Sequence, residues 1–190
     1  MSSGRFALIK KDIRGITSNK QIFAALLIVP LVLTIVLPSI FVLVLTQAPD
    51  AASDFQKLLD MMPVTDEKYS QQQRILGLIL NNIMPPFFLI VPIMASSVMA
   101  ASSFVGEKEK HTLETLLYSP LSLRQLFQSK ILAGFSVGMM VSYISFAAML
   151  LVVEVEVFFL TGNLIIPGIS WLIIMLLIAP SFSLVAIAVT

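Results

Sequence analysis

Few residues of this chain are equipped for covalent chemistry. The single histidine is His111 and there is no cysteine. Cys-based metal and redox sites are therefore excluded, and Ser/His triads or His-based zinc sites are poorly supported. The chain has no Gly-x-x-x-x-Gly-Lys-Ser/Thr loop, so it does not cradle nucleotide phosphates in that way. The informative residues lie between Gly106 and Gln125. Leu113, Leu116 and Leu117 form an apolar edge at helical spacing, and Glu107, Lys110, His111 and Glu114 can lie away from it. Glu107/His111 and Lys110/Glu114 are four apart and pair weakly. Pro120 disfavours helix at Ser119, and Ser122-Leu123-Arg124-Gln125 reads as a capping box opening a further helix. The chemistry of such a stretch is docking: a charged face stays solvated, while leucines beyond any bilayer need a partner to bury them.

What positions this segment is a set of long apolar runs. Of the 190 residues, 57% are hydrophobic and 12% charged, with a mean hydropathy of +0.95. Soluble domains carry roughly twice that charge, so this is a membrane protein, and the expected class is an all-α polytopic helix bundle in one transmembrane domain. A span needs about 20 apolar residues. The runs place span one at 22–46, span two at 75–105, span three at 131–153 and span four at 169–190. Gly162-Asn163 and Pro167-Gly168 break the run before span four. The first run is longer than the ~7–15-residue core of a signal peptide and lacks its cleavage context.

Residues 1–20 precede the first span. Phe6, Ile9, Ile13 and Ile16 share one helical face, and Arg5, Lys10, Lys11 and Arg14 occupy much of the rest. This is the pattern of an interfacial amphipathic helix on membrane lipid, apolar face down and bases near anionic headgroups. It serves as a plain topogenic anchor or as an elbow bracing span one. Between spans one and two, Ser53-Asp54-Phe55-Gln56 fits a capping box, and Phe55, Leu58, Leu59 and Met62 make an apolar stripe, so a small helix is expected on the outer surface.

Nine of the twelve basic residues fall at the N-terminus or between spans two and three. That asymmetry predicts a cytoplasmic N-terminus and a cytoplasmic 107–130 loop in the cell membrane. The net charge of +1 excludes a basic nucleic-acid binder. No Asp, Glu, Lys or Arg falls mid-span, which disfavours a carrier with a buried charged site. Lys130 to Glu154 is about 36 Å of helix, so Glu154 and Glu156 are expected as solvated carboxylates at the outer boundary. Gly134, Gly138 and Ser142 recur every four residues along span three, a small-residue ridge for close helix packing within the chain or across a dimer. Pro30, Pro38, Pro85, Pro86, Pro92 and Pro180 free carbonyls and bend their helices.

The 107–125 segment resembles the type-2 ABC exporter permeases. The family pattern after the second span is similar to Glu107, Thr112-Leu113-Glu114, Leu116-Leu117 and Ser119-Pro120, with Glu109 inside it. The interfacial helix and the order of spans are also similar, so the resemblance covers the whole chain. It implies a permease subunit forming half of a dimeric pore with a second permease copy or paralogue. It also implies a separate ABC ATPase subunit that binds the ATP, no cofactor or catalysis in this chain, and a coupling helix from about Glu107 to Ser119 seated in the ATPase. Family members typically have six spans, so the resemblance also implies a chain lacking the last two. The rival readings are a four-span non-transporting protein, an immunity or assembly factor anchoring a soluble partner by the same loop, and a membrane-embedded enzyme. The last is weak for want of a charged catalytic cluster.

Overall fold

A computed structural model describes residues 3–47, 70–109, 122–165 and 167–190. Every regular element among them is helical, and four helices are long and apolar enough to cross a membrane: Lys20–Gln47, Gln73–Ser103, Leu123–Thr161 and Ile169–Val189. The all-α polytopic bundle expected from the sequence is the architecture observed.

Helix α1 (Ser3–Ser18) leads through the single residue Asn19 into α2 (Lys20–Gln47), which is span one. Asn19 caps α2: its side-chain oxygen accepts from the Gln21 and Ile22 amides at 3.2 and 3.3 Å, which satisfies donors that a helix start leaves orphaned. Helix α2 buries Leu26, Pro30, Thr34, Pro38, Val42 and Leu45, a stripe at near-regular spacing of four. The Thr34 hydroxyl returns to the Pro30 carbonyl at 2.8 Å.

Span two is a broken helix. It opens with α3 (Gln71–Leu78) under a Ser70/Gln73 capping box. It then widens into a π-helical turn, Ile79–Ile83, and continues as α4 (Met84–Phe88) and α5 (Ile90–Glu109). The cause lies in Pro85 and Pro86, which have no N–H to give. The Met84 amide bonds Ile79 five residues back. In that register the next donor would be Pro85, so the Leu80 carbonyl is left without a helical partner. Span four repeats the device: α7 (Ile169–Ile173), a π-turn Ile174–Ile178, then α8 (Ala179–Val189) with Pro180 in its first turn. Here the Ala179 amide bonds Ile174.

Span three, α6 (Leu123–Thr161), is unbroken for 39 residues. At 1.5 Å per residue it is about 58 Å long, well beyond a ~30 Å hydrocarbon core. Its start is fixed by the capping box expected at Ser122 and Gln125, and its end by Gly162. Gly162 adopts φ 73°, and its amide bonds Phe158 at 2.9 Å. This left-handed cap favours glycine, which pays no Cβ penalty there.

Span two is the centre of the bundle. Half of its most apolar window is buried, against 22–28% for the other three spans. The core runs through Leu76, Ile79, Val91 and Met99 of span two, Ala133, Val141 and Val157 of span three, Val42 and Leu45 of span one, and Trp171 and Met175 of span four. Outward faces stay apolar, with Leu151, Phe159, Leu176 and Val185 exposed, as a lipid-facing surface requires.

Helix α1 is turned relative to its expected face. Its buried residues are Leu8, Asp12 and Ile16, while Phe6 is 63% exposed. Ile9 and Ile13 are partly buried against the core. The helix packs chiefly on α6, and also on α2 and α5. It therefore braces span three as much as span one, and the reason lies in what Asp12 meets there.

Candidate functional site

Three polar residues from distant parts of the chain converge where α1, α5 and α6 meet. Lys130 Nζ donates to Ser103 Oγ at 2.8 Å and to the Ser103 carbonyl at 3.3 Å. Ser103 Oγ in turn donates to Asp12 Oδ2 at 3.4 Å. Both charged residues are only 8% exposed. Burying a charge without compensation is costly. Here the serine hydroxyl accepts from the ammonium and donates to the carboxylate, so each charged group has an oriented partner, and the chain of bonds is polarised in one direction.

The node sits at the root of the segment singled out in the sequence. Ser103 is six residues before the end of α5, and Lys130 is eight residues after the cap Ser122. Glu107 and Glu109 lie in the last turn of α5. Thr112, Leu113, Glu114, Leu116, Leu117, Ser119 and Pro120 lie outside the described residues, as do the expected Glu107/His111 and Lys110/Glu114 pairs and the outer helix at 53–62. What the structure provides is the base of the hairpin: the outgoing and returning helices are fastened together at Ser103 and Lys130.

From sequence Lys130 counts among the charges of the 107–130 loop, and nothing in composition or charge balance singles out Asp12. The signal for Asp12 was present. Leu8, Asp12 and Ile16 are spaced by four, so the carboxylate falls on an apolar stripe of α1. An acid in that position calls for a buried base.

Further along the bundle, the small-residue ridge of span three is filled from within the chain. A Cβ on Gly138 would fall on Ser96 Oγ and lie 3.3 Å from the Ser96 amide nitrogen. One on Gly134 would meet Ile187 at 3.3 Å and Met99 at 3.7 Å. Ser142 is fully buried and its hydroxyl donates to the Gly138 carbonyl at 2.8 Å. Opposite the ridge, Ser96 and Ser183 share a buried hydrogen bond of 2.6 Å. Glycine at 138 thus lets span three approach the point where spans two and four are bonded together.

At the opposite end from the node, the indole of Trp171 donates to the Leu80 carbonyl at 2.9 Å. This is the carbonyl that Pro85 leaves without a donor. Asn81 Oδ1 accepts from the Gly168 amide at 2.6 Å. Phe88, Phe146 and Trp171 stack around this joint with centroids 5.1–5.8 Å apart, in the offset and edge-on geometries that aromatic quadrupoles favour. Glu154 and Glu156, expected as solvated carboxylates, are half-buried. Glu154 accepts from the Ile165 amide at 3.2 Å and so secures the turn that follows α6. The helix persists through Thr161, which places both acids on packed helix rather than on a loop.

Among the described residues no group of His, Cys, Asp and Glu is placed to hold a metal ion. Comparison with known proteins adds the family. The family model described as ABC-2 family transporter protein matches residues 6–190. No curated protein and no solved structure matches the chain. A match over all but the first five residues, on a bundle of four membrane-spanning helices, means that the chain belongs to the ABC-2 transporter family, as a multi-pass membrane subunit.

Proposed function

We propose that the chain is the permease subunit of an ATP-driven exporter. It forms half of a dimeric pathway in the cell membrane, with the N-terminus and the 107–125 segment on the cytoplasmic side. ATP binds to a separate ATPase subunit, and residues Glu107 to Pro120 form the element that docks with it. The observation that carries the coupling role is the buried node at the root of this segment. A hairpin whose two helices are fastened by Lys130 and Ser103 transmits a push at its tip to the bundle instead of absorbing it by splaying. The leucines at 113, 116 and 117 supply the apolar anchor, and Glu114 beside them supplies a charge for a base on the partner.

The test is the double variant Glu114→Ala/Leu117→Ala. Truncating a well-buried interface anchor typically costs about 2 kcal/mol or more, and both changes lie outside the spans. Membrane insertion is expected to be normal, while co-purification of the ATPase and efflux-dependent resistance are lost. Normal co-purification and normal efflux would overturn the assignment. Loss of insertion would return the segment to a purely architectural role. Orientation is checked with single cysteines, which stand alone in this cysteine-free chain. A cysteine at Ser70 should react with an impermeant reagent in intact cells, and one at Ser122 should not. Both positions are exposed at helix caps.

A further inference from the structure

One polar group within the spans is left over. Tyr143 stands next to Ser142, the midpoint of the 39-residue α6 and of the apolar run 131–153. A helix of about 58 Å that crosses a ~30 Å core keeps its midpoint inside that core wherever it sits. There Tyr143 is 45% exposed, on the side of α6 turned away from the bundle. Its hydroxyl meets no hydrogen-bond partner among the described residues. Tyrosine belongs at the rims of a membrane, where its ring is apolar and its hydroxyl wet, and Tyr69 and Tyr118 do fall between the spans. The outward serines solve the same problem locally. Ser136 donates to the Leu132 carbonyl and Ser181 to the Leu177 carbonyl, each at 2.7 Å, one turn back along the same helix. A phenol cannot do this, because its ring carries the hydroxyl away from the backbone, and hydrocarbon offers no acceptor at that depth.

The residues around Tyr143 indicate what kind of partner it needs. Ser136, Met140, Tyr143 and Ala147 are all exposed and, at 100° per residue, fall in a sector about 60° wide. Steps of four, three and four make the seam of a left-handed helix pair. The small residues at its ends, Ser136 and Ala147, let a second helix come close. The same residues disfavour a water-filled wall: Met140 and Ala147 are apolar, and Ser136 turns its proton back into the helix. The glycine ridge on the other side of span three is already taken by Ser96, Met99 and Ile187. The seam is therefore the side of span three still open to another helix.

We propose that this seam faces a second copy of the chain, span three beside span three, with Tyr143 hydrogen-bonded across the junction. It rests on the dimeric reading above and names the surface that the dimer uses. A two-fold axis along the membrane normal sets identical residues opposite one another at the same depth. A hydroxyl suits that arrangement because it both donates and accepts. One Tyr143 donates to the other, which a side chain that only donates or only accepts could not do with its own copy.

The test is disulfide cross-linking of the full chain in the membranes that express it. Ser136→Cys and Ala147→Cys sit on the seam and leave Tyr143 in place. Val36→Cys on span one and Leu176→Cys on span four, both exposed, sit on other faces. Oxidation with copper phenanthroline should join the two seam variants into covalent dimers and leave the other two as monomers. If one seam variant does not insert, the other decides. Light scattering of the extracted, unsubstituted chain measures its stoichiometry independently. A dimer that links at Val36 or Leu176 instead, or at none of the four positions, would overturn the seam and leave the dimeric reading standing. A monomer would sink the dimeric reading, and the seam with it. Tyr143→Phe then isolates the hydroxyl. It should insert normally and weaken self-association about threefold, the effect of one average hydrogen bond between membrane helices. An unchanged dissociation constant would overturn the bond across the junction.

Discussion

The two ends of the bundle are fastened by opposite means. At the end that carries α1, the fastening is charged: Asp12, Ser103 and Lys130 are brought together from three helices that are remote in sequence. At the other end the fastening is neutral, and the backbone creates the need for it. Pro85 leaves the Leu80 carbonyl without a helical donor, Trp171 supplies one, and Asn81 takes the Gly168 amide. The charged joint is costly to open because parting its members strands a buried charge. The neutral joint can be broken and remade at the cost of ordinary hydrogen bonds, and it sits on a π-turn, a feature frequent at functional sites. One end is thus held by charges that are costly to separate and the other by neutral hydrogen bonds that cost less to break.

The largest expected effect tests the charged end. Lys130→Met keeps the aliphatic length but removes the ammonium that the Ser103 hydroxyl links to Asp12, and breaking a buried charged pair costs about 3–5 kcal/mol. The double variant Asp12→Asn/Lys130→Met removes both charges and should recover most of that loss. Thermal unfolding of the detergent-solubilised protein reads both. If Lys130→Met alone left the midpoint unchanged, the node would not hold the bundle and the contrast between the two ends would collapse.

A second prediction probes the region between the two ends. Gly138→Ala directs a methyl group onto Ser96 and against its backbone. Span three must then move off the Ser96–Ser183 bond, at a cost of about 1–3 kcal/mol. Gly77 has open space around it, so Gly77→Ala on span two is the control and should not lower the midpoint. Equal midpoints for the two variants would show that the ridge faces space rather than packed helix.

These positions also show how much could be read from the sequence. The ridge at Gly134, Gly138 and Ser142 was visible as spacing, but its partner was not, because a period names a face and not the helix across from it. The cap at Ser122 was legible because it is local: a side chain and its own backbone suffice. Gly162 reads from sequence as a break before span four, whereas it caps the helix of span three, which runs eight residues past the expected end at 153. Pro85 and Pro86 announced a bend, whereas the π-turn that absorbs it depends on Trp171, ninety-one residues beyond Leu80. The node was hidden for the same reason. Lys130 adjoins a hydrophilic loop, and charges there are counted as topology signals. Only the apolar stripe on either side of Asp12 argued for burial.

A third prediction concerns the neutral end. Trp171→Phe retains an aromatic ring against Phe88 and Phe146 but loses the indole N–H. Leu80 then has no donor. Hydrogen bonds between membrane helices average about 0.6 kcal/mol with a maximum near 1.7, so the midpoint should fall much less than in Lys130→Met. A fall as large as that of Lys130→Met would mean that the two ends are equally stiff, against the contrast drawn above.

The smallest effect gives the finest test, because it asks why the neutral joint exists. If Trp171 serves a carbonyl orphaned by Pro85, restoring a donor at position 85 should make the indole redundant. Pro85→Ala supplies an N–H that can bond Leu80 in the π-register or allow the turn to relax toward α-helix, where position 84 serves Leu80 instead. Either way the carbonyl is satisfied within span two. In the otherwise unchanged chain the substitution should be close to neutral, since a hydrogen bond to Trp171 is exchanged for one within the helix. In the Trp171→Phe background it should recover the roughly 0.6 kcal/mol that the lost indole bond cost. The four proteins form a double-mutant cycle whose coupling term isolates this one bond. A coupling term of zero, with Trp171→Phe equally damaging in both backgrounds, would show that the tryptophan acts through its ring contacts alone. The outer joint would then be a packing feature rather than a repair of the broken helix.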